Sequence, residues 1–219
     1  MTNAQRTRVK VCGLTRPEDV AAAVQAGVDA IGLVFYPSSK RAVSLSQASR
    51  LRNAVPPFVS VTALFVNAAV EQVQAVIDQV APDVLQFHGD EEPEYCEGFG
   101  KRYIRAFRVG APGLDTPTSL LDECRRYASA TAWLFDSYSA GYGGSGHAFD
   151  AQLLSKVSSA TDSRPVILAG GLTVATVADS IRAVRPYAVD VSSGVESAPG
   201  IKSPEKIAAF LQSVAATWE

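Results

Sequence analysis

The sequence predicts a single-domain (β/α)8 barrel, also called a TIM barrel, of the α/β class, and two observations lead to this prediction. Eight short apolar segments alternate with eight longer segments that have the period of an α-helix. The apolar segments, such as AIGLVF and AWLF, are hydrophobic at consecutive positions, as expected when both faces of a parallel sheet are covered. An open doubly wound sheet is the alternative, but it usually has fewer units and a glycine-rich turn after its first strand, where this chain reads CGLTRPED.

The predicted elements follow one another as strand and helix along the whole chain. The strands are residues 8–12, 29–35, 58–66, 83–87, 102–108, 131–135, 164–168 and 187–191. The helices lie in PEDVAAAVQAG, SLSQASRLRNAV, AAVEQVQAVIDQV, EEPEYCEGFG, TSLLDECRRYAS, FDAQLLSKV, TVATVADSIRAV and SPEKIAAFLQSV, which have apolar residues three or four positions apart. Thr15, before Pro17, and Ser203, before Pro204, are predicted to cap the first and last helices.

Length and composition fit one globular domain. The chain has 219 residues, of which 47% are hydrophobic and 19% charged, so it can bury one large core and has no bias towards disorder. Residues 1–7 are expected to form a flexible N-terminal extension, and residues 8–219 to form the one barrel domain.

Charge, hydropathy and cysteine content limit the partners and the compartment. Lysine and arginine number 20 against 22 acidic residues, so no general positive field attracts nucleic acid or an anionic membrane. No apolar run reaches the roughly 18 residues of a membrane span. The three cysteines, Cys12, Cys96 and Cys124, form no CxxC pair, which is typical of a reducing compartment rather than of a disulfide framework. We therefore expect a cytoplasmic protein, a monomer or homodimer, without nucleic-acid or membrane partners.

Polar residues and glycines follow the predicted strands. In a (β/α)8 barrel, the residues just past the C-terminal strand ends share the face that carries the chemistry. The candidates at this face are Cys12, Arg41, His88, Asp136, Gly170, Gly171, Asp190, Ser192, Ser193 and Gly194.

Two glycine-containing turns, after strands seven and eight, predict a phosphate site. Gly170-Gly171 and Ser192-Ser193-Gly194 allow backbone N–H groups to approach an anion closely, and barrels commonly bind phosphate at this place. Either turn alone could be just a tight connection. The GYGGSG segment in loop 137–149 fits a mobile flap over the ligand or an ordinary surface loop.

Cys12 and Asp136 are the candidate acid–base pair. They come from strands one and six, which lie opposite each other at the mouth of a barrel. A thiolate can remove a proton from carbon, and a protonated carboxyl group can donate one to oxygen. Because an ordinary thiol has a pKa of about 8.5, Cys12 would need nearby positive charge or oriented N–H groups to act as a base at neutral pH.

The other rim residues have more than one interpretation. His88 could be a base, a ligand-positioning donor or a structural residue. Arg41 could be solvated together with Lys40, or its guanidinium group could bind a substrate carboxylate through two hydrogen bonds. His147 has no HxH or HExxH spacing, so we expect no metal.

The motifs KVCGLT, DAIGLVFYPSSKRAVS, ALFVN, VLQFHGDE, LFDS, YGGSGHAFD, ILAGGL and AVDVSSGVESAPGIK resemble, in this order, the phosphoribosylanthranilate isomerase family. The resemblance implies a (β/α)8 barrel that catalyses the Amadori rearrangement of N-(5-phosphoribosyl)anthranilate in tryptophan biosynthesis, without a cofactor. It implies Cys12 as general base, Asp136 as general acid, Arg41 as the contact of the anthranilate carboxylate, the two glycine turns as the phosphate cradle, and His88 near the anthranilate ring.

Two other functions compete with this interpretation. The related aminoaldose isomerase of histidine biosynthesis typically uses two aspartates and a second phosphate cradle, whereas this chain has Cys12 on strand one and no second cradle in its first half. A catalytically silent barrel that binds phosphorylated ligands is the second alternative, and the presence of both an acid and a base candidate argues against it.

Overall fold

The computed structural model describes residues 6–138 and 150–217. The barrel strands are β1 (Arg8–Cys12), β2 (Ala30–Val34), β3 (Ser60–Phe65), β4 (Val84–Phe87), β5 (Tyr103–Val109), β6 (Ala132–Ser137), β7 (Val166–Leu168) and β8 (Ala188–Val191). The helices are α1 (Pro17–Ala26), α2 (Leu45–Asn53), α3 (Val70–Val80), α4 (Pro93–Glu97), α5 (Pro117–Arg126), α6 (Ser155–Ser159), α7 (Val177–Val184) and α8 (Pro204–Ala215). The eight strands are all parallel and form one closed barrel in chain order. The pairing of β8 with β1 closes it. The predicted (β/α)8 fold is confirmed.

Side chains alternate along each strand between the helices and the barrel interior. On β1, Val9 and Val11 belong to the main hydrophobic core under the helices. Cys12 belongs instead to a small cluster inside the barrel with Val34 and Leu64. Lys10, two residues before Cys12, therefore also points inwards.

The barrel interior contains both an apolar cluster and buried polar residues. Small and aliphatic residues of β5 to β8, among them Ile104, Leu134 and Ile167, form one apolar cluster. Four buried polar residues also point into the barrel: Lys10 on β1, Thr62 on β3, Gln86 on β4 and Asp190 on β8. A barrel interior that serves only for packing does not need such residues, so these polar side chains indicate a functional role.

The predicted helix caps differ in outcome. Ser203 caps α8 as predicted, because its side chain accepts a hydrogen bond from the Lys206 amide. The prediction for Thr15 is wrong: α1 has Arg16 at its N-cap without a side-chain cap. The Thr15 hydroxyl instead donates to the Gly200 carbonyl oxygen, 2.7 Å away, because a tertiary partner is within its reach.

Two segments differ in length from their predictions. The predicted helix after strand six is a short 3-10 turn, Ala151–Leu154, that continues into α6, and the helix after strand four has only five residues. After β8, a 3-10 turn (Ser193–Val195) leads into an unpredicted antiparallel pair, β9 (Glu196–Ala198) and β10 (Ile201–Lys202).

The ends of the predicted domain are only partly described. Of the predicted flexible extension 1–7, Thr7 is buried and Arg6 forms an ion pair with Asp29, while the flexibility of the segment stays a prediction. Residues 1–5, and residues 139–149 of the predicted flap, lie outside the described residues. Across the described part of the chain, no helix has the length and apolar character needed to cross a membrane.

Candidate active site

A cavity of about 850 Å³, its open mouth included, lies at the C-terminal ends of the strands. Of the predicted site residues, all but Gly194 line this cavity: Cys12, Arg41, His88, Asp136, Gly170, Gly171, Asp190, Ser192 and Ser193. Tyr36, Leu64, Val66 and Leu172 add an apolar part of the wall. The cavity thus combines polar groups with a surface that an aromatic ring can contact.

The Cys12 thiol lies at the end of β1, in a position made possible by a glycine on the neighbouring strand. Cys12 pairs with Gly32 of β2, and a Cβ atom at Gly32 would lie 2.6 Å from the Cys12 sulfur. Any other residue at position 32 would therefore displace the thiol. Burial raises the pKa of Cys12, and the positive charge of Lys10 opposes this effect.

Asp136 lies near the end of β6, beside His88. The His88 Nε2 atom is 3.3 Å from Asp136 Oδ2. The His88 Nδ1 atom is 3.2 Å from the side-chain amide nitrogen of Gln86, Nε2. The His88 ring therefore contacts Asp136 through Nε2 and Gln86 through Nδ1. The other carboxylate oxygen, Asp136 Oδ1, is buried and has no hydrogen-bond partner within the described residues, whereas the Asp136 side chain as a whole is 16% exposed and lines the cavity.

Arg41 is held from one side by Glu196. Its Nε and Nη2 atoms donate to the two Glu196 carboxylate oxygens, each at 2.7 Å. Lys202, which is fully buried, donates to the same carboxylate at 2.9 Å. Although burial opposes it, these hydrogen bonds lower the pKa of Glu196. A Cβ atom at Gly13 would lie 2.4 Å from Arg41 Cδ, so Gly13 provides the space for the arginine.

The glycine turns after β7 and β8 have the close backbone approach predicted for them. Gly170 and Gly171 have φ values of 80° and 63°, in the left-handed region that favours glycine. A Cβ atom at Gly194 would lie 2.0 Å from the Leu172 carbonyl oxygen, so Gly194 keeps the two turns in contact although it does not line the cavity. The amides of Gly171 and Ser193 donate no backbone hydrogen bond to any described residue, which leaves them available for an anion.

A family model described as N-(5'phosphoribosyl)anthranilate (PRA) isomerase matches residues 9–213. The chain belongs to the phosphoribosylanthranilate isomerase family. The family inferred from the sequence motifs is thereby confirmed, and with it the prediction of an isomerase. A relative of this name from Bordetella bronchiseptica is 61% identical over 209 residues, which cover 95% of this chain and 96% of the relative.

Solved structures of this family share the fold along nearly the whole chain. The phosphoribosyl anthranilate isomerase of Thermotoga maritima is similar with a TM-score of 0.86 and 36% identity, covering 96% of this chain and 99% of that structure. A second phosphoribosyl anthranilate isomerase structure holds reduced 1-(o-carboxyphenylamino)-1-deoxyribulose 5-phosphate. It has a TM-score of 0.82, 34% identity and the same coverage.

Gln86 lines the cavity and Lys10, Glu196 and Lys202 lie behind residues that line it, and none of these four was predicted as a site residue. Lys10 and Gln86 each lie two positions before a predicted site residue, Cys12 and His88, so the strand period of two was a usable signal. Glu196 and Lys202 had no such local signal. Their roles depend on the β9–β10 pair, which places them beside Arg41.

Two further predictions concern the other cysteines and a metal site. Cys96 and Cys124 are fully buried away from it, and burial raises the pKa of Cys96 to about 12. Within the described ranges, no group of three or more His, Cys, Asp or Glu residues could hold a metal ion. The independence from metals and cofactors stays a prediction.

Proposed function

We propose that the chain catalyses the Amadori rearrangement of N-(5-phosphoribosyl)anthranilate to 1-(2-carboxyphenylamino)-1-deoxyribulose 5-phosphate, a step of tryptophan biosynthesis. The observation that supports this most is the cavity itself, where a thiol and a carboxyl group from different strands lie with two amides that have no backbone partner among the described residues. The solved structure with a bound reduced product analogue supports a small phosphorylated aminosugar as the ligand.

Asp136 is proposed as the general acid. It donates a proton to the ribose ring oxygen while the anthranilate nitrogen lone pair forms the C1=N bond and the C1–O bond breaks, which opens the ring to a Schiff base. The position of Asp136 on the cavity wall, with its side chain partly exposed, supports this role because the carboxyl group can reach the substrate.

Cys12 is proposed as the general base. Its thiolate removes the C2 proton, the electron pair forms the C1=C2 bond, and the C1=N pair returns to nitrogen. The enolamine then tautomerises to the ketone as C1 gains a proton. These two steps require no other side chain, and the proposal includes no cofactor. His88 contacts Asp136 but is given no chemical step of its own.

Arg41 is proposed to bind the anthranilate carboxylate. Glu196 occupies the Nε and Nη2 edge of the guanidinium group, and Nη1 has no partner among the described residues. The outer edge, Nη1 and Nη2, can therefore still donate two hydrogen bonds to a second carboxylate.

Replacing Arg41 with lysine is expected to weaken substrate binding by about 1–3 kcal/mol, because lysine keeps the charge but loses the paired donors. The measurement is the Michaelis constant of the variant, with Arg52→Lys on the outer helical layer as the matched control. An unchanged Michaelis constant in Arg41→Lys would remove the carboxylate contact from the proposal.

The phosphate is proposed to lie at the turns after β7 and β8, held mainly by backbone amides. Replacing Gly171 with valine is expected to weaken the binding of substrate and of inorganic phosphate together by roughly tenfold or more, because a β-branched residue is strained at positive φ and moves the amide. Phosphate inhibition and the Michaelis constant are measured side by side. Lys101→Ala, at the opposite end of the barrel, should change neither, and a variant that loses substrate affinity but keeps phosphate affinity would contradict this placement.

Growth tests distinguish the proposed function from its two alternatives. A bacterial strain without phosphoribosylanthranilate isomerase should grow without tryptophan when it carries this chain, and a strain without the histidine-pathway isomerase should still require histidine. The reverse pattern would support the histidine-pathway reaction, and no growth in either strain would support a silent barrel. The cytoplasmic location, the absence of nucleic-acid and membrane partners, and the choice between monomer and homodimer stay predictions.

A further inference from the structure

Lys10 is a buried cation that the proposed reaction does not use. Its Nζ atom lies 2.6 Å from Asp190 Oδ2 across the β1–β8 pairing, and the two side chains are only 5% and 8% exposed. Burying an ammonium group in a barrel is costly unless it is paired. Although burial alone would lower it, the charges of Asp190 and the neighbouring Cys12 raise the pKa of Lys10.

Lys10 also faces the thiol. Residues 10 and 12 of β1 point to the same side of the strand, into the barrel. The positive charge of the Lys10 ammonium group lowers the pKa of the Cys12 thiol, against the effect of burial. The opposite carboxylate oxygen, Asp190 Oδ1, has no hydrogen-bond partner within the described residues and belongs to a cavity-lining residue.

Other charged groups face Cys12 from the elements packed around β1. Asp190 on β8 opposes the thiolate, while Lys202 on β10 and Arg41 after β2 act on it through charge. His88 and Asp136 lie on the other cavity walls. Lys10 differs from Lys202 and Arg41 because it lies on the same face of β1 as Cys12, two positions away, whereas both of those cations are bound to Glu196.

We propose that Lys10 is a positioning residue for Cys12: held in place by Asp190, its ammonium group supplies the positive charge beside which the Cys12 thiolate forms. This inference rests on the proposed function, in which Cys12 is the general base and needs a nearby positive charge to form its thiolate. It also gives Asp190 a second task besides lining the substrate cavity, namely to hold Lys10 against the thiol.

The test is the pH dependence of Cys12 alkylation by iodoacetamide in the wild-type chain and in Lys10→Met. Only the thiolate attacks iodoacetamide, forming the S–C bond as iodide leaves. Mass spectrometry of the Cys12 peptide separates this thiol from the fully buried Cys96 and Cys124. Methionine keeps the approximate length without the charge, so the alkylation midpoint should rise by about one pH unit or more. The same variant should lose kcat more than it changes phosphate affinity.

A double variant separates this role from a structural one. Lys10→Met leaves Asp190 buried without its partner, whereas Lys10→Met with Asp190→Asn removes both charges and restores neutrality. If Lys10 only stabilises the barrel, the double variant should return the alkylation midpoint to the wild-type value; the proposal expects it to stay higher. Lys101→Met serves as the surface control and should leave the midpoint unchanged.

A folded Lys10→Met or double variant with a wild-type alkylation midpoint would overturn the inference. The result can be distinguished from a failure of the proposed function, because alkylation is measured without turnover. A wild-type chain that does not isomerise the substrate would reject the function, while the alkylation profiles would still report on Lys10.

Discussion

Replacing Cys12 with alanine is expected to lower kcat at least about a hundredfold, because it removes the group that takes the C2 proton. The fold should persist, since the Cys12 side chain belongs to a small interior cluster and not to the main core under the helices. The measurement is turnover at saturating substrate, together with circular dichroism and thermal unfolding of the same preparation.

Cys124→Ala is the matched control for this variant. Cys124 is fully buried on α5, outside the cavity, so its removal should cost some stability and leave kcat near the wild-type value. Near wild-type turnover in Cys12→Ala would reject Cys12 as the base.

Replacing Asp136 with asparagine is expected to lower kcat by a similar factor, at least about a hundredfold, with less change in the Michaelis constant. Asparagine has nearly the same shape and can still contact His88, but its amide cannot donate the proton that opens the ribose ring. Steady-state kinetics on the variant give both constants.

Asp115→Asn, at an exposed position before α5, is the control for Asp136→Asn. It makes the same chemical change at a residue that does not line the cavity and should leave both constants unchanged. If Asp136→Asn affected only the Michaelis constant, Asp136 would be a binding group and the proton donor would have to be another residue.

The barrel could be predicted from the sequence because its signals are local. Consecutive apolar residues in each strand, such as those of β2 and β6, report burial on both faces, and the residues just past them fall on one rim by the geometry of parallel strands. This is why the sequence alone places Cys12, Asp136 and the turn at Gly170-Gly171 near one another.

The supporting contacts could not be predicted because they join residues far apart in the chain. Lys10 meets Asp190 across 180 positions, and Arg41 meets Glu196 across 155. Thr15 shows the same limit at a helix start, where a contact with Gly200 outweighs the local capping pattern. Partner choice in these cases depends on the closed barrel and on the β9–β10 pair, and neither is encoded in a short window of sequence.

The most direct test of the account is the fluorescence of N-(5-phosphoribosyl)anthranilate, formed in solution and mixed with the purified chain in the presence of a chelator. We expect the fluorescence to fall at a rate proportional to protein concentration, and the product to have the mass of the substrate, since an isomerisation moves only protons and bonds. A decay no faster than the spontaneous loss, under conditions where the Bordetella bronchiseptica relative consumes the substrate, would contradict the account.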